Sequence, residues 1–182
     1  MIRESLNHGW ELHKGGVSMM SAMMGGGAES PVIVDLPHDA MVHEERTPDT
    51  ANGTQTGYWP GGSYTYIKSL YAPAEWQEKT VILEFEGVYN TAMVYVNGDL
   101  AATHLFGYSN FYVELDPFLR YDAENEIKVI ADNASEKNSR WYSGSGIYRN
   151  VKLMVGNRIH IPVDGVRIIT PSVAAESSVV NV

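Results

Sequence analysis

The chain has 182 residues, no cysteine, and a formal net charge of −9 from 13 Lys and Arg against 22 Asp and Glu. The missing cysteines exclude disulfide frameworks, thiolate metal sites and cysteine nucleophiles, and an acidic balance without a Lys/Arg cluster speaks against a nucleic-acid partner, because counterion release needs a basic surface. The length fits one domain of ordinary size with a piece of another, and no apolar run reaches the roughly 20 residues of a membrane-spanning helix.

The opening MIRESLNHGW carries no apolar stretch after its charges. A secretory signal is therefore absent or already removed. Together with the lack of cysteine this sets a cytoplasmic expectation, with a secreted or periplasmic location open if a signal was removed. Within Ser5 to Lys14, Trp10 and Leu12 flank Glu11 and predict a first strand that stops at Gly15 and Gly16. The Met- and Gly-rich VSMMSAMMGGGAES that follows has no sustained period, and Gly25 to Gly27 argue against a helix there. Val32 to Leu36 predicts a short strand closed by Pro37, and His38 to Pro60 is a polar, turn-rich stretch without an apolar face. Long irregular loops in compact domains are often functional.

SYTYIKSLYAP alternates and predicts a strand stopped at Pro73, and Ala74 to Lys79 predicts one helical turn. The centre of the chain is TVILEFEGVYNTAMVYVNG, Thr80 to Gly98. Val81, Leu83 and Phe85 alternate with Ile82, Glu84 and Glu86, and after a hinge at Gly87 to Asn90, Ala92, Val94 and Val96 alternate with Met93, Tyr95 and Asn97. Each strand thus offers one apolar face, and the placement leaves Glu84 and Glu86 on an exposed face. Phe111 to Leu115, Ile127 to Ala131 and Val151 to Val155 predict further strands, the last preceded by the aromatic- and Gly-rich NSRWYSGSGIYRN. Two apolar faces in tandem and scarcely any helical period predict an all-β antiparallel β-sandwich, with jelly-roll and immunoglobulin topologies both open. Ile161 and Pro162 read as a linker, VRIIT as a new strand, and SVVNV as a further strand that reaches Val182. The expected division is residues 1–160 as one domain and 161–182 as linker and first strands of a truncated second one.

SLNHGWELHKGG, VDLPHD, PGGSYTYIKSL, LEFEGVYNTAMVYVNGDLA, GYSNFYVELDPFL and RWYSGSGIYRNVKL occur in that order from Ser5 to Leu153. In these six blocks the chain resembles the N-terminal sugar-binding domain of glycoside hydrolase family 2, which includes β-galactosidases, β-glucuronidases and β-mannosidases. The resemblance implies a jelly roll of galactose-binding-domain-like topology, followed by an immunoglobulin-like sandwich and a TIM barrel. The barrel carries both catalytic glutamates in the family, so this chain is expected to hold no catalytic residue and to be inactive alone. Retaining glycosidases need two carboxyl groups about 5–5.5 Å apart. Glu84, Glu86, Glu124, Glu126 and Asp132 on strand faces or in turns read as solvated surface instead.

The resemblance also implies a loop that reaches the active site and offers an Asp to the sugar. Counting back from Gly146 to Arg149 puts that position at Arg140, a donor-only guanidinium in place of an acceptor. Three explanations stand side by side: a substrate other than a simple galactoside, Arg140 at a domain interface, or an offset that gives the role to Asn138. Trp141, Tyr142 and Trp59 are candidates to stack on sugar rings or to fill the seam with the barrel, whereas Tyr148 and the glycines Gly144 and Gly146 read as packing and turn residues. The six histidines, including the pairs His8/His13 and His38/His43, have no metal-ligand spacing. No cofactor is implied, and structural Ca²⁺ or Na⁺ held by loop carbonyls would leave no motif. Asn52 and Asn133 head N-x-S/T matches. The expected partners are a β-linked carbohydrate, the downstream immunoglobulin-like and barrel domains, and a second copy in a homo-oligomer, with no nucleic acid or membrane. The alternative function is a free-standing carbohydrate-binding module gripping sugars with Trp59, Trp141 and Tyr108.

Overall fold

In the computed structural model, which describes residues 1–14, 30–50, 52–134 and 141–182, ten strands form two antiparallel sheets laid face to face. One sheet has four strands in the order β1 (Ile2–Ser5), β10 (Val151–Asn157), β5 (Lys79–Phe85), β8 (Phe111–Glu114). The other has six, in the order β3 (Val32–Val34), β2 (Trp10–Lys14), β4 (Ser63–Ala72), β9 (Ala123–Asp132), β6 (Thr91–Val96), β7 (Asp99–His104). Strand order that departs from chain order in both sheets is what a jelly roll requires.

The period-2 pattern sets the register. Leu83 faces Leu153 on one side and Val113 on the other, and Phe85 faces Val151 and Phe111. Across the core, Tyr66 and Val94 both pair with Val129, and Leu12 pairs with Tyr66. A shift of one residue would turn each of these side chains to the opposite face. Trp10, Tyr66, Leu83, Phe85, Val94, Ile127 and Val129 are completely buried and belong to one contiguous core. Trp10, the first large apolar residue of β2, also satisfies its indole N–H on the Leu6 carbonyl at 2.7 Å.

Some local expectations shift. The strands on either side of Gly87 to Asn90 do not pair with each other: β5 lies in the four-stranded sheet and β6 in the six-stranded one, so their connection crosses the sandwich. Glu84 is only 6% exposed, in contrast to the open face expected for it. Its Oε1 accepts from Tyr112 at 3.2 Å, while its cross-strand neighbours are Lys152 and Tyr112. Glu86, expected on the same open face, is half-buried and held by Lys152 and by Asn150, whose amide donates at 2.7 Å. The last two strands, β11 (Ile169–Val173) and β12 (Ser178–Asn181), pair only with each other. Strand β11 starts three residues later than the VRIIT pattern suggests, with Thr170 to Val173 extended. The Met- and Gly-rich segment, apart from Ser30, lies outside the described residues.

Candidate functional site

The loops with the most functional residue types converge. The backbone of residues 38–40 runs beside 145–147: His38 N donates to Ile147 O and Ala40 N to Ser145 O, both at 2.8 Å. On the other flank Gly146 and Tyr89 exchange a pair of backbone hydrogen bonds at 2.9 Å. Segment 145–147 is thus the middle rung of a small ladder. Gly146 adopts φ +127°, and a Cβ there would fall on the Tyr66 hydroxyl, so only glycine lets the loop lie this close to β4.

Asp39 sits between the two backbone links. Its Oδ1 accepts from the backbone N–H of Met41 at 3.0 Å and of Ser145 at 2.9 Å, and its Oδ2 accepts from the Tyr142 hydroxyl at 2.6 Å. Burial, and then the Asp39 carboxylate, push the Tyr142 phenol above its ordinary range. The Tyr142 ring meets Trp59 edge-on with centroids 6.0 Å apart, and the Arg46 guanidinium lies 5.9 Å from the Trp59 ring. Asn133, the residue after β9, anchors the same loop, donating to Gly144 O at 3.1 Å and Ser145 Oγ at 2.6 Å.

Trp141 belongs to a second group of rings. Its indole N–H donates to Tyr108 Oη at 3.0 Å, Tyr108 packs against Tyr89 at 5.3 Å, and Phe106 stands edge-on to Tyr108 at 5.8 Å. Tyr148 Oη donates to Gly107 O at 2.7 Å and ties this loop down. Trp141 keeps 59% of its surface exposed, and Phe106, Tyr108 and Tyr142 are exposed as well. Large exposed aromatic surface fixed by hydrogen bonds at its polar edge is suited to stacking on an apolar partner face.

Behind the rim, His38 stacks on His43 with centroids 5.5 Å apart, and its Nδ1 is 2.9 Å from Tyr66 Oη. Burial and the neighbouring His43 lower the His38 pKa, partly opposed by Asp39, and burial raises that of Tyr66. Burial thus favours the neutral His38 ring, which shares a hydrogen bond with the Tyr66 hydroxyl. Elsewhere His8 pairs with Asp35 at 3.0 Å and His104 stacks on Phe111 at 4.5 Å. Among the described residues no cluster of three or more His, Asp or Glu forms a metal site.

Of the residues singled out from sequence, Trp59, Trp141 and Tyr142 lie on this rim, with Tyr142 touching Trp59 and Trp141 touching Tyr108. Asn138 and Arg140 lie outside the described residues. Asn52 and Asn133 are both buried, Asn133 inside the hydrogen-bonded loop anchor, so neither offers an accessible acceptor amide. Nothing in the sequence marks Asp39, because besides Met41 two residues on, its partners stand more than 100 residues away: 103 for Tyr142 and 106 for Ser145. The closest local signal was Gly144, where a Cβ would lie 2.9 Å from Asp39 Oδ2.

Residues 10–161 match the family of glycosyl hydrolase 2 galactose-binding domain-like modules. The chain is 35% identical over 179 residues to the β-galactosidase BoGH2A of Bacteroides ovatus, an alignment covering 98% of this chain and 21% of that protein. It is 32% identical over 99 residues to a β-glucuronidase of Bacteroides fragilis, covering 52% of this chain and 14% of that one. Among solved structures, a glycosyl hydrolase family 2 member from Bacteroides cellulosilyticus superposes with a TM-score of 0.82 at 29% identity, over 96% of this chain and 23% of that chain. A β-glycosidase from Bacteroides vulgatus gives 0.82 at 31% identity, over 93% of this chain and 22% of that chain. The chain therefore spans about a fifth of the length of the β-galactosidase and the two solved hydrolases it matches. Match and fold together make it a member of the glycosyl hydrolase 2 galactose-binding domain-like family.

Proposed function

We propose that this chain is the non-catalytic N-terminal sugar-binding module of a retaining β-glycosidase of galactosidase or glucuronidase type, and that its aromatic rim forms part of the wall of the active-site mouth. The observation that carries the reading is the rim itself: Tyr142, Trp141 and Tyr108 expose ring surface while their polar atoms are held by Asp39 and by one another, and the half-buried Trp59 joins them through Tyr142 with Arg46 over its ring. An aromatic face suits the C–H surface of a pyranose. The chemistry belongs to a catalytic domain beyond this chain. Within it, Glu86 is engaged by Lys152 and Asn150, and Glu84 is buried under Tyr112.

Residues 1–160 make up the module in this reading, and 161–182 open the next domain; the isolated pairing of β11 with β12 supports that division. The partners are then a β-linked carbohydrate and the downstream domains of the same polypeptide, acting in the cytosol. Incubation with a panel of chromogenic β-glycosides tests the reading. The chain alone should give no turnover above a heat-killed control, and the polypeptide extended through its downstream reading frame should hydrolyse at least one β-glycoside. Turnover by the chain alone overturns it.

The exposure of Trp141 favours a second reading, a free-standing carbohydrate-binding module. It requires the chain by itself to show saturable binding of oligosaccharides, whereas a mouth wall that works only with its catalytic domain shows none.

A further inference from the structure

Two groups of rings make the rim, and they are held in different ways. Trp141 is held by Tyr108 from the connection between β7 and β8. Tyr142 and, through it, Trp59 are held by a single carboxylate that arrives from the other loop. We propose that Asp39 is the positioning residue of the Tyr142–Trp59 half of the rim, setting both rings where a bound glycoside would meet them. This rests on the reading of the rim as a sugar contact.

The geometry separates the carboxylate from the fold around it. The backbones on either side of Asp39 are already joined by His38 N to Ile147 O and Ala40 N to Ser145 O. The side chain adds something different. Oδ1 takes two backbone N–H groups, which orients the carboxylate plane, and this aims Oδ2 at the phenol. An O–H donor on a carboxylate makes a short, strong bond, and 2.6 Å is within that class. The partners of Asp39 among the described residues are all neutral donors, so its charge orients donors and does not neutralise a cation. Gly144 completes the arrangement, because any side chain there would press on Oδ2 at 2.9 Å. Tyr142 has only two side-chain torsions, and a bond at its far end removes most of the freedom the ring would otherwise keep. A rim ring ordered before binding costs a ligand less entropy than one ordered by it.

Asp39→Asn is the informative variant. Its Oδ1 still accepts from Met41 and Ser145, so the loop is kept, while its amide replaces the carboxylate oxygen opposite the phenol. Tyr142→Phe removes the same bond from the other side and leaves the ring. In ¹H–¹⁵N and aromatic ¹H–¹³C NMR spectra of the chain, both variants should move the Tyr142 ring (the Phe ring in Tyr142→Phe) and Trp59 indole signals. In Asp39→Asn the Trp141 indole should stay in place, and the Met41 and Ser145 amides should keep their protection from hydrogen exchange. Unmoved Tyr142 and Trp59 signals in Asp39→Asn, or equal shifts at Trp141 and throughout the core, overturn the proposal.

In the polypeptide continued through its catalytic domain, KM for a β-glycoside should rise about 10-fold in both variants with kcat within about 2-fold, the signature of lost binding common to ground and transition states. Rim signals that move while KM does not would support the positioning role and overturn the reading of the rim as a substrate contact.

Discussion

Gly146 and His38 both meet one hydroxyl, that of Tyr66, and each is constrained by it. At Gly146 the backbone is left-handed at φ +127° and a Cβ would collide with Tyr66 Oη. Gly146→Ala therefore combines backbone strain with overpacking and should cost about 3 kcal/mol or more, read as a lower midpoint in urea at unchanged slope. A loss below about 1 kcal/mol would mean the loop relaxes away from β4. At His38 burial favours the neutral ring, so its folded-state pKa lies below the 6.5 of an unfolded chain. In the interval between those two values the unfolded chain binds more protons. Stability from this group is thus complete above about pH 6.5 and is lost as pH falls below it. Because the chain has five other histidines, the measurement is a difference: the stability advantage of wild type over His38→Gln should shrink between pH 7.5 and pH 5. An advantage that grows as pH falls contradicts the neutral assignment.

Individual elements show how neighbouring segments are satisfied. Asn125, at the start of β9 and almost fully buried, accepts from Asn97 Nδ2 and from the Arg120 N–H, both at 2.8 Å. Its own amide donates to the carbonyls of Arg120 at 2.9 Å and Ala123 at 3.0 Å. One side chain therefore closes the β8–β9 turn and joins it to the β6–β7 turn at Asn97. Asn125→Ala leaves several buried groups without partners and should cost about 3 kcal/mol, seen as a fall in thermal midpoint. Asn125→Asp, which keeps the acceptor but sets a buried carboxylate oxygen against those carbonyls, should cost at least as much. On β5, Leu83 packs between Leu153 and Val113 with no exposed surface. Leu83→Ala should cost about 3 kcal/mol, the middle of the range for such truncations. Tyr71→Phe, on the exposed side of β4 with only its bond to Asp122 to lose, should stay within about 0.5 kcal/mol.

At the scale of the molecule, the ten-stranded sandwich and the β11–β12 hairpin differ in what they bury. The residues of β11 and β12 are all exposed, and the two strands pair only with each other. Two strands alone are marginal in water. Ending the chain after Gly165 should therefore move the thermal midpoint of the sandwich by less than about 4 °C, the shift that about 1 kcal/mol produces in a domain of this size. A larger fall would place the hairpin within the cooperative unit. This test bears on the division at residue 160 independently of any activity measurement.

The alternation of Val81, Leu83 and Phe85, and of Ala92, Val94 and Val96, was enough to predict two apolar faces and hence a sandwich, because a strand's side-chain period is set by its backbone alone. The rim aromatics Trp59, Trp141 and Tyr142 were legible as residue types, and the ordered blocks from Ser5 to Leu153 carried the family. Pairing was not legible. Nothing within a few residues of Gly87 distinguishes a hairpin from a crossing between sheets, so β5 and β6 separated only in three dimensions. The same limit hid the burial of Glu84, which depends on Tyr112 and neighbouring strands, and the reach of Asp39 to Tyr142 and Ser145. Local sequence determines which face of a strand is apolar and where the chain turns, since both follow from covalent geometry and side-chain period. Which strands become neighbours, and which polar groups meet at their ends, was decided by tertiary structure, because those energies arise only when residues far apart in the chain are brought into contact.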